Sequence, residues 1–213
     1  MTDVLLVEEL IAACASLHRR VSPRQIIGVR MGLYGGELVG VEVPQSGKRL
    51  FTIAESDGSW VDGLALATNC SVGHRTLRVE DIGKVAATFV NTVTGESVRL
   101  MPMIDARERA CHHAPHEKAK WRMQIVGYKS MPADELFDVQ SVELVTPVAA
   151  YLSRPGAKAI CAGCGEEVVN EREVRRDGQA YCRTCAGEGY YRPRASVAND
   201  RLRTTDQVRS HAG

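Results

Sequence analysis

Cys161, Cys164, Cys182 and Cys185 follow the spacing C-x2-C-x17-C-x2-C. Two residues between cysteines let both thiolates turn toward one metal from a tight knuckle. Two such knuckles complete a tetrahedron, so the spacing predicts one structural zinc ion per chain. A closed four-thiolate site offers no coordination position to a substrate. The strongest chemical signal therefore explains how a small module folds, and any working surface must be sought elsewhere.

Three further groups could carry chemistry. His18, Arg20, Ser22 and Arg30 cluster around the junction of two expected helices. A histidine there is equally a helix-end residue favoured by the dipole. Glu55, Asp62 and Cys70 form a second group, with Cys70 in the loop sequence Asn69-Cys70-Ser71-Val72-Gly73-His74. A loop cysteine near polar groups can be a nucleophile, and a buried free cysteine is the alternative. The third group, Cys111-His112-His113-Ala114-Pro115-His116, is dense in metal ligands. There His112 and His116 would share a helix face, but Pro115 breaks the regularity. The glycine-rich Met31–Gly36 stretch neither follows a strand nor opens a helix, so it fails as a phosphate loop. No GxSxG, Walker or HExxH pattern is present.

The elements that must position these residues read as follows. An apolar stripe at helical spacing covers residues 4–18. Ser22-Pro23 opens a second helix, with serine as N-cap and proline at the first helical position. That helix is expected to stop at Gly35-Gly36. Residues 48–54 read as a strand and 59–69 as a short helix. Residues 84–103 read as a hairpin turning at Thr94-Gly95-Glu96. One charged helix is expected over 105–125, a helical start at 131–135 and a last strand at 139–145. Proline and glycine then mark a linker over 148–158. Asp177-Gly178 signals a hairpin inside the cysteine module. Knuckle, hairpin, second knuckle and a short helix would make a treble-clef finger. The expected layout is an α+β core over 1–147, the finger over 159–191 and a basic polar tail over 192–213.

Composition narrows the classes. The chain has 213 residues and a net charge of +1, so no whole-protein field points at nucleic acid or an anionic membrane. Only the tail is markedly basic, with five arginines against Asp200 and Asp206 over residues 192–213. Seven cysteines is an odd number, and four are assigned to the metal. A thiolate site and unpaired thiols favour a reducing, cytoplasmic setting. Near the N-terminus the positive charges follow the apolar stretch, the wrong order for a signal peptide. No apolar run approaches the ~18 residues of a membrane span.

Three ordered motifs resemble the family of the formylmethanofuran dehydrogenase E-type subunit. Leu17-His18-Arg19-Arg20-Val21-Ser22-Pro23, followed by Gly28-Val29-Arg30-Met31-Gly32, is similar to that family's histidine- and cysteine-bearing box and its Gly-Val-Arg-Met-Gly. Asp62 through Cys70 and Gly73 resembles its acidic residue, helix and Thr-Gly-Cys segment. Asp81-Ile82-Gly83-Lys84-Val85-Ala86-Ala87-Thr88-Phe89 is similar to its Asp-x-Gly-Lys-x-Ala-x-Thr-Phe. The four-cysteine module resembles a finger appended in some members. The chain departs from the pattern at Arg20 and Ser22, where the family box has a histidine and a cysteine. It departs again at Trp60, in place of a cysteine, and at His74, in place of a lysine. The resemblance implies a sheet-and-helix core, a homodimer, and a cleft carrying His18, Asp62 and Cys70.

Three functions remain open at this point. The first is a zinc-binding accessory protein with a metal- or small-molecule-binding core cleft, acting beside a metalloenzyme partner. A second metal in that cleft would rest on His18, Asp62 and Cys70. The second is an enzyme in which Cys70 is the nucleophile with His18 and Asp62. The third is a nucleic-acid binder using finger and tail, which the near-neutral charge disfavours.

Overall fold

Glycines at helix crossings set the architecture. In the computed structural model, which describes residues 4–18, 20–152, 154 and 156–192, the chain divides into two compact units that part after Tyr151. The basic tail expected over 192–213 lies outside the described residues except for Arg192.

The first unit begins with α1 (Val4–His18), whose Val7, Leu10, Ile11 and Cys14 are buried at helical spacing while Leu5 and Leu17 face solvent. Helix α2 (Pro23–Leu38) starts as its sequence dictates. The Ser22 side chain accepts from the Gln25 N–H, and Gln25 returns a bond from the Ser22 N–H at 2.8 Å. This reciprocal box satisfies two N–H groups that an uncapped helix would leave open. Beyond its first turn α2 is buried nearly all round, so it is the central rod of the core. It does not stop at Gly35-Gly36. A Cβ at 35 would lie 2.5 Å from the Phe89 ring and one at 36 would lie 2.8 Å from Val43. Those glycines are there for close packing, not to end the helix.

Strand β1 (Leu50–Ala54) leads into α3 (Ser59–Thr68), which ends on a left-handed Asn69 and returns as β2 (Leu77–Val79), parallel to β1. Then β3 (Ala87–Asn91) and β4 (Ser97–Pro102) form the expected hairpin, with Val90 opposite Ser97 and Gly95 at positive φ in the turn. Together with β5 (Phe137–Ser141) they complete a sheet of order β2-β1-β3-β4-β5. Of the three inner strands, β1 and β3 are buried along their whole length.

The single helix expected over 105–125 is two: α4 (Ala106–His112) and α5 (Lys120–Ser130). Pro115 supplies the break, since it lacks an N–H and disfavours helical backbone at Ala114. A short α6 (Ala133–Leu136) precedes β5, which starts two residues earlier than expected and ends at Ser141. The expected linker contains a short helix, α7 (Val148–Leu152).

The second unit holds two hairpins: β6 (Lys158–Ile160) with β7 (Glu167–Val169), and β8 (Val174–Arg176) with β9 (Gln179–Tyr181). Asp177 and Gly178, both at positive φ, turn the second one as their sequence signals. The short helix expected after the second knuckle is not formed among the described residues. Turns over 183–187 take its place.

Candidate metal centre and core cleft

The first knuckle is the connection between β6 and β7, and the second follows β9 directly. Cys161 N–H donates to the Glu166 carbonyl and Gly165 N–H to the Cys161 carbonyl, which closes the first knuckle into a tight loop. Gly165 takes a φ of +77° there, a backbone suited to glycine. The knuckles meet closely. A Cβ on Gly163 would stand 2.9 Å from the Cys185 sulfur.

All four cysteine sulfurs lie within 4.8 Å of one another. Cys164 Sγ and Cys182 Sγ are 3.9 Å apart. A regular tetrahedron with Zn–S bonds of about 2.3 Å has edges of roughly 3.8 Å. The donor set thus fits a tetrahedral thiophilic ion. Backbone N–H groups support it. Cys182 N–H donates to Cys161 Sγ at 3.2 Å and Cys185 N–H to Cys182 Sγ at 3.4 Å. The Cys182 N–H is the main reason the Cys161 thiol is held down to about 6. Hydrogen bonding to Cys182 and then Cys161 pushes Cys185 up to about 12. Four thiols this close share protons, and a bound cation is what allows all four to be thiolates together. Among the described residues this is the one group of three or more side chains able to hold a metal.

In the core, the α2–α3 crossing builds the second locus. A Cβ on Gly28 would sit 1.8 Å from the Trp60 carbonyl oxygen, and one on Gly63 would sit 2.2 Å from that of Gln25. Two facing glycines therefore let the helix backbones touch. Their N-terminal ends come side by side, and Ser22 Oγ lies 3.3 Å from Ser59 Oγ. One turn further along α3, Asp62 Oδ2 accepts His18 Nε2 at 2.6 Å.

Two of the three residues expected in the cleft are thus brought together, and the third stands apart. Cys70 follows the far end of α3, whose last residue, Thr68, lies about 9 Å along the axis from Asp62 at 1.5 Å per residue. It is buried, and its sulfur accepts from Gln45 Nε2 at 3.2 Å and Thr52 Oγ1 at 3.5 Å, while its S–H donates to the Leu50 carbonyl at 3.5 Å. These contacts tie Gln45 and the segment after α3 to β1. The thiol near the His18–Asp62 pair is Cys14, one turn before His18 on α1. Burial, then the Asp62 charge, pushes Cys14 above the usual thiol range. The spacing of four between Cys14 and His18 was the signal that could have found it.

The other flagged residues are structural. Buried Arg30 donates to the carbonyls of Tyr128, Lys129 and Met131 at 2.8–2.9 Å, closing the open end of α5. Trp60 is fully buried and its indole N–H bonds Ser56 Oγ and the Asp57 carbonyl. In the histidine-rich segment, His113 bonds Glu135 at 2.8 Å, linking α4 to α6.

Sequence reasoning missed the cavity beside Ser22 and Ser59. It measures about 920 Å³ and is bordered by the starts of α2 and α3, the end of β4, and α4 and α5. Arg24, Lys84 and Arg107 stand at its rim with no acidic residue in the lining. Arg99, deeper in the wall, is held by both carboxylate oxygens of Glu55, which raises its already high basicity.

No helix among the described residues is long and apolar enough to cross a membrane. The family described as "FmdE, Molybdenum formylmethanofuran dehydrogenase operon" matches residues 17–138. A protein of Archaeoglobus fulgidus described as a "Probable S-adenosyl-L-methionine-binding protein" is 28% identical over 204 residues, covering 85% of this chain and 53% of that one. The chain therefore spans about half the length of that curated relative. The crystal structure of a tungsten formylmethanofuran dehydrogenase FmdE-like protein from Syntrophus aciditrophicus has the same fold, at a TM-score of 0.55 and 22% identity. That likeness covers 90% of this chain and 100% of that one. With more than half of its length matched, across both the His18 box and the sheet, this chain belongs to the FmdE family.

Proposed function

We propose that this chain is a zinc-binding accessory protein. Its C-terminal module folds around one zinc ion held by Cys161, Cys164, Cys182 and Cys185. The observation that carries this reading is the 3.9 Å separation of Cys164 and Cys182 sulfurs, one on each knuckle, at the edge length of a thiolate tetrahedron. The ion would supply folding free energy and no substrate position, since its four ligands are all protein sulfurs. Its partner is a metalloenzyme or its assembly apparatus, by analogy with the molybdenum and tungsten systems named for the family and the neighbour. The protein works as a homodimer in the cytoplasm, where its thiols stay reduced.

The test is metal analysis of the natively purified chain together with affinity capture from its own cells. One zinc per chain and a metalloenzyme captured in stoichiometric amount support the reading. A chain without thiolate-bound metal, or a zinc-loaded chain that captures no metalloenzyme, contradicts its respective half.

The relative described as S-adenosylmethionine-binding supports a second reading, in which the core takes a small molecule. The 920 Å³ cavity beside Ser22 and Ser59 is the place for it.

A further inference from the structure

We propose that this core cavity binds a phosphate-bearing aromatic small molecule of the nucleoside monophosphate kind. The proposal deepens the small-molecule reading of the core and rests on it.

Charge is the first argument. Arg24 comes from the first turn of α2, Lys84 from the segment before β3, and Arg107 from α4. They are far apart in sequence, so the fold gathers them; they are not a solvated charge run. All three are exposed, and none forms an ion pair among the described residues. No carboxylate lines the cavity. The acid behind its wall, Glu55, is already occupied by Arg99. A protein of net charge +1 thus concentrates three unopposed cations on one mouth. The N-terminal end of α2 adds its partial positive charge at the same place. Three cations suit a dianion such as a phosphate monoester better than a carboxylate, since each adds its own Coulomb attraction.

Shape and apolar surface are the second argument. The volume of about 920 Å³ lies within the range of small-molecule sites. Met101 and Met103 line it, and Trp121, 56% exposed, offers an indole at the edge. A flat ring can stack on that indole while its phosphate reaches the cations. Ser22 and Ser59, bonded to each other, keep further hydroxyl capacity beside the cations. S-adenosylmethionine fits less well, because its sulfonium brings a positive charge to a positive mouth.

The experiment uses the full chain in its zinc-loaded form at low ionic strength. AMP, adenosine, inorganic phosphate and S-adenosylmethionine are titrated by calorimetry and by tryptophan emission. Trp121→Phe identifies the reporting indole, because Trp60 is buried. The expected result is saturable AMP binding at least about tenfold tighter than adenosine or S-adenosylmethionine, weakening with salt. Lys84→Ala and Arg24→Ala should each weaken AMP about tenfold with an unchanged melting temperature. Phosphate alone should compete without changing the emission. The proposal is overturned if AMP shows no saturable binding, if adenosine or S-adenosylmethionine binds as tightly, or if both alanine variants bind like the parent. The adenosine and S-adenosylmethionine arms keep the two readings apart. Saturable binding of either without a preference for AMP sinks this proposal alone, and no binding of any probe sinks the small-molecule reading with it.

Discussion

His18 Nε2 and Asp62 Oδ2, 44 residues apart in sequence, meet at 2.6 Å. His18 ends α1 and Asp62 lies in the first turn of α3, which itself packs on α2 through bare backbone at Gly28 and Gly63. The pair is about two-fifths exposed on each side, so screening keeps its stabilising effect small. A double-mutant cycle on His18→Ala and Asp62→Ala, read by urea denaturation, should give a coupling below about 1 kcal/mol. A much larger coupling would mean that the pair organises the core, against its exposure.

The glycines behind that pair should matter far more. Gly28→Ala and Gly63→Ala each drive a methyl into a carbonyl oxygen of the facing backbone. Neither backbone can yield cheaply, so each variant should lose about 3 kcal/mol or fail to fold. Gly47→Ala is the control, because its added carbon meets nothing within 4 Å. It should stay within about 0.5 kcal/mol of the parent.

Arg30 makes a second sharp prediction. Lysine keeps the charge but cannot fork to the carbonyls of Tyr128, Lys129 and Met131. Arg30→Lys should cost roughly 2–3 kcal/mol by the same denaturation assay, since buried carbonyls are left open. Hydrogen exchange should rise first at the end of α5. A variant as stable as the parent would show that water or another side chain replaces the guanidinium.

Thiol accessibility separates the cysteines. Cys14 and Cys70 are buried, and Cys111 is partly exposed. Under native conditions with metal bound, iodoacetamide should modify Cys111 well before Cys14 or Cys70, as read by mass spectrometry of the digested chain. Rapid labelling of Cys70 would revive a nucleophilic role for it.

How much of this was legible depended on the range of the contacts. The knuckles, the Ser22 cap, the Thr94-Gly95-Glu96 turn and Asp177-Gly178 are local, and short spacing specifies them. Gly35-Gly36 reads locally as a helix end, yet Phe89 and Val43 need bare backbone there, and only tertiary packing reveals that. The break between α4 and α5 was signalled by Pro115 but masked by the charged periodicity on either side. Cys70 looked like a cleft residue because its sequence places it in a loop. Its burial comes from Gln45 and Thr52, two segments away. The cationic mouth was invisible for the same reason: Arg24, Lys84 and Arg107 are gathered from three elements.

The central claim is that the C-terminal module is folded by zinc on four thiolates. The direct measurement is a chelator titration of the full chain, with metal release and backbone NMR followed together. One zinc per chain should leave, and signals from residues 158–187 should collapse toward unfolded positions while those of β1 and β3 stay in place. Cys164→Ala should mimic chelation. A module that keeps its dispersed signals after the metal is gone, or a chain that never held zinc, would contradict the account.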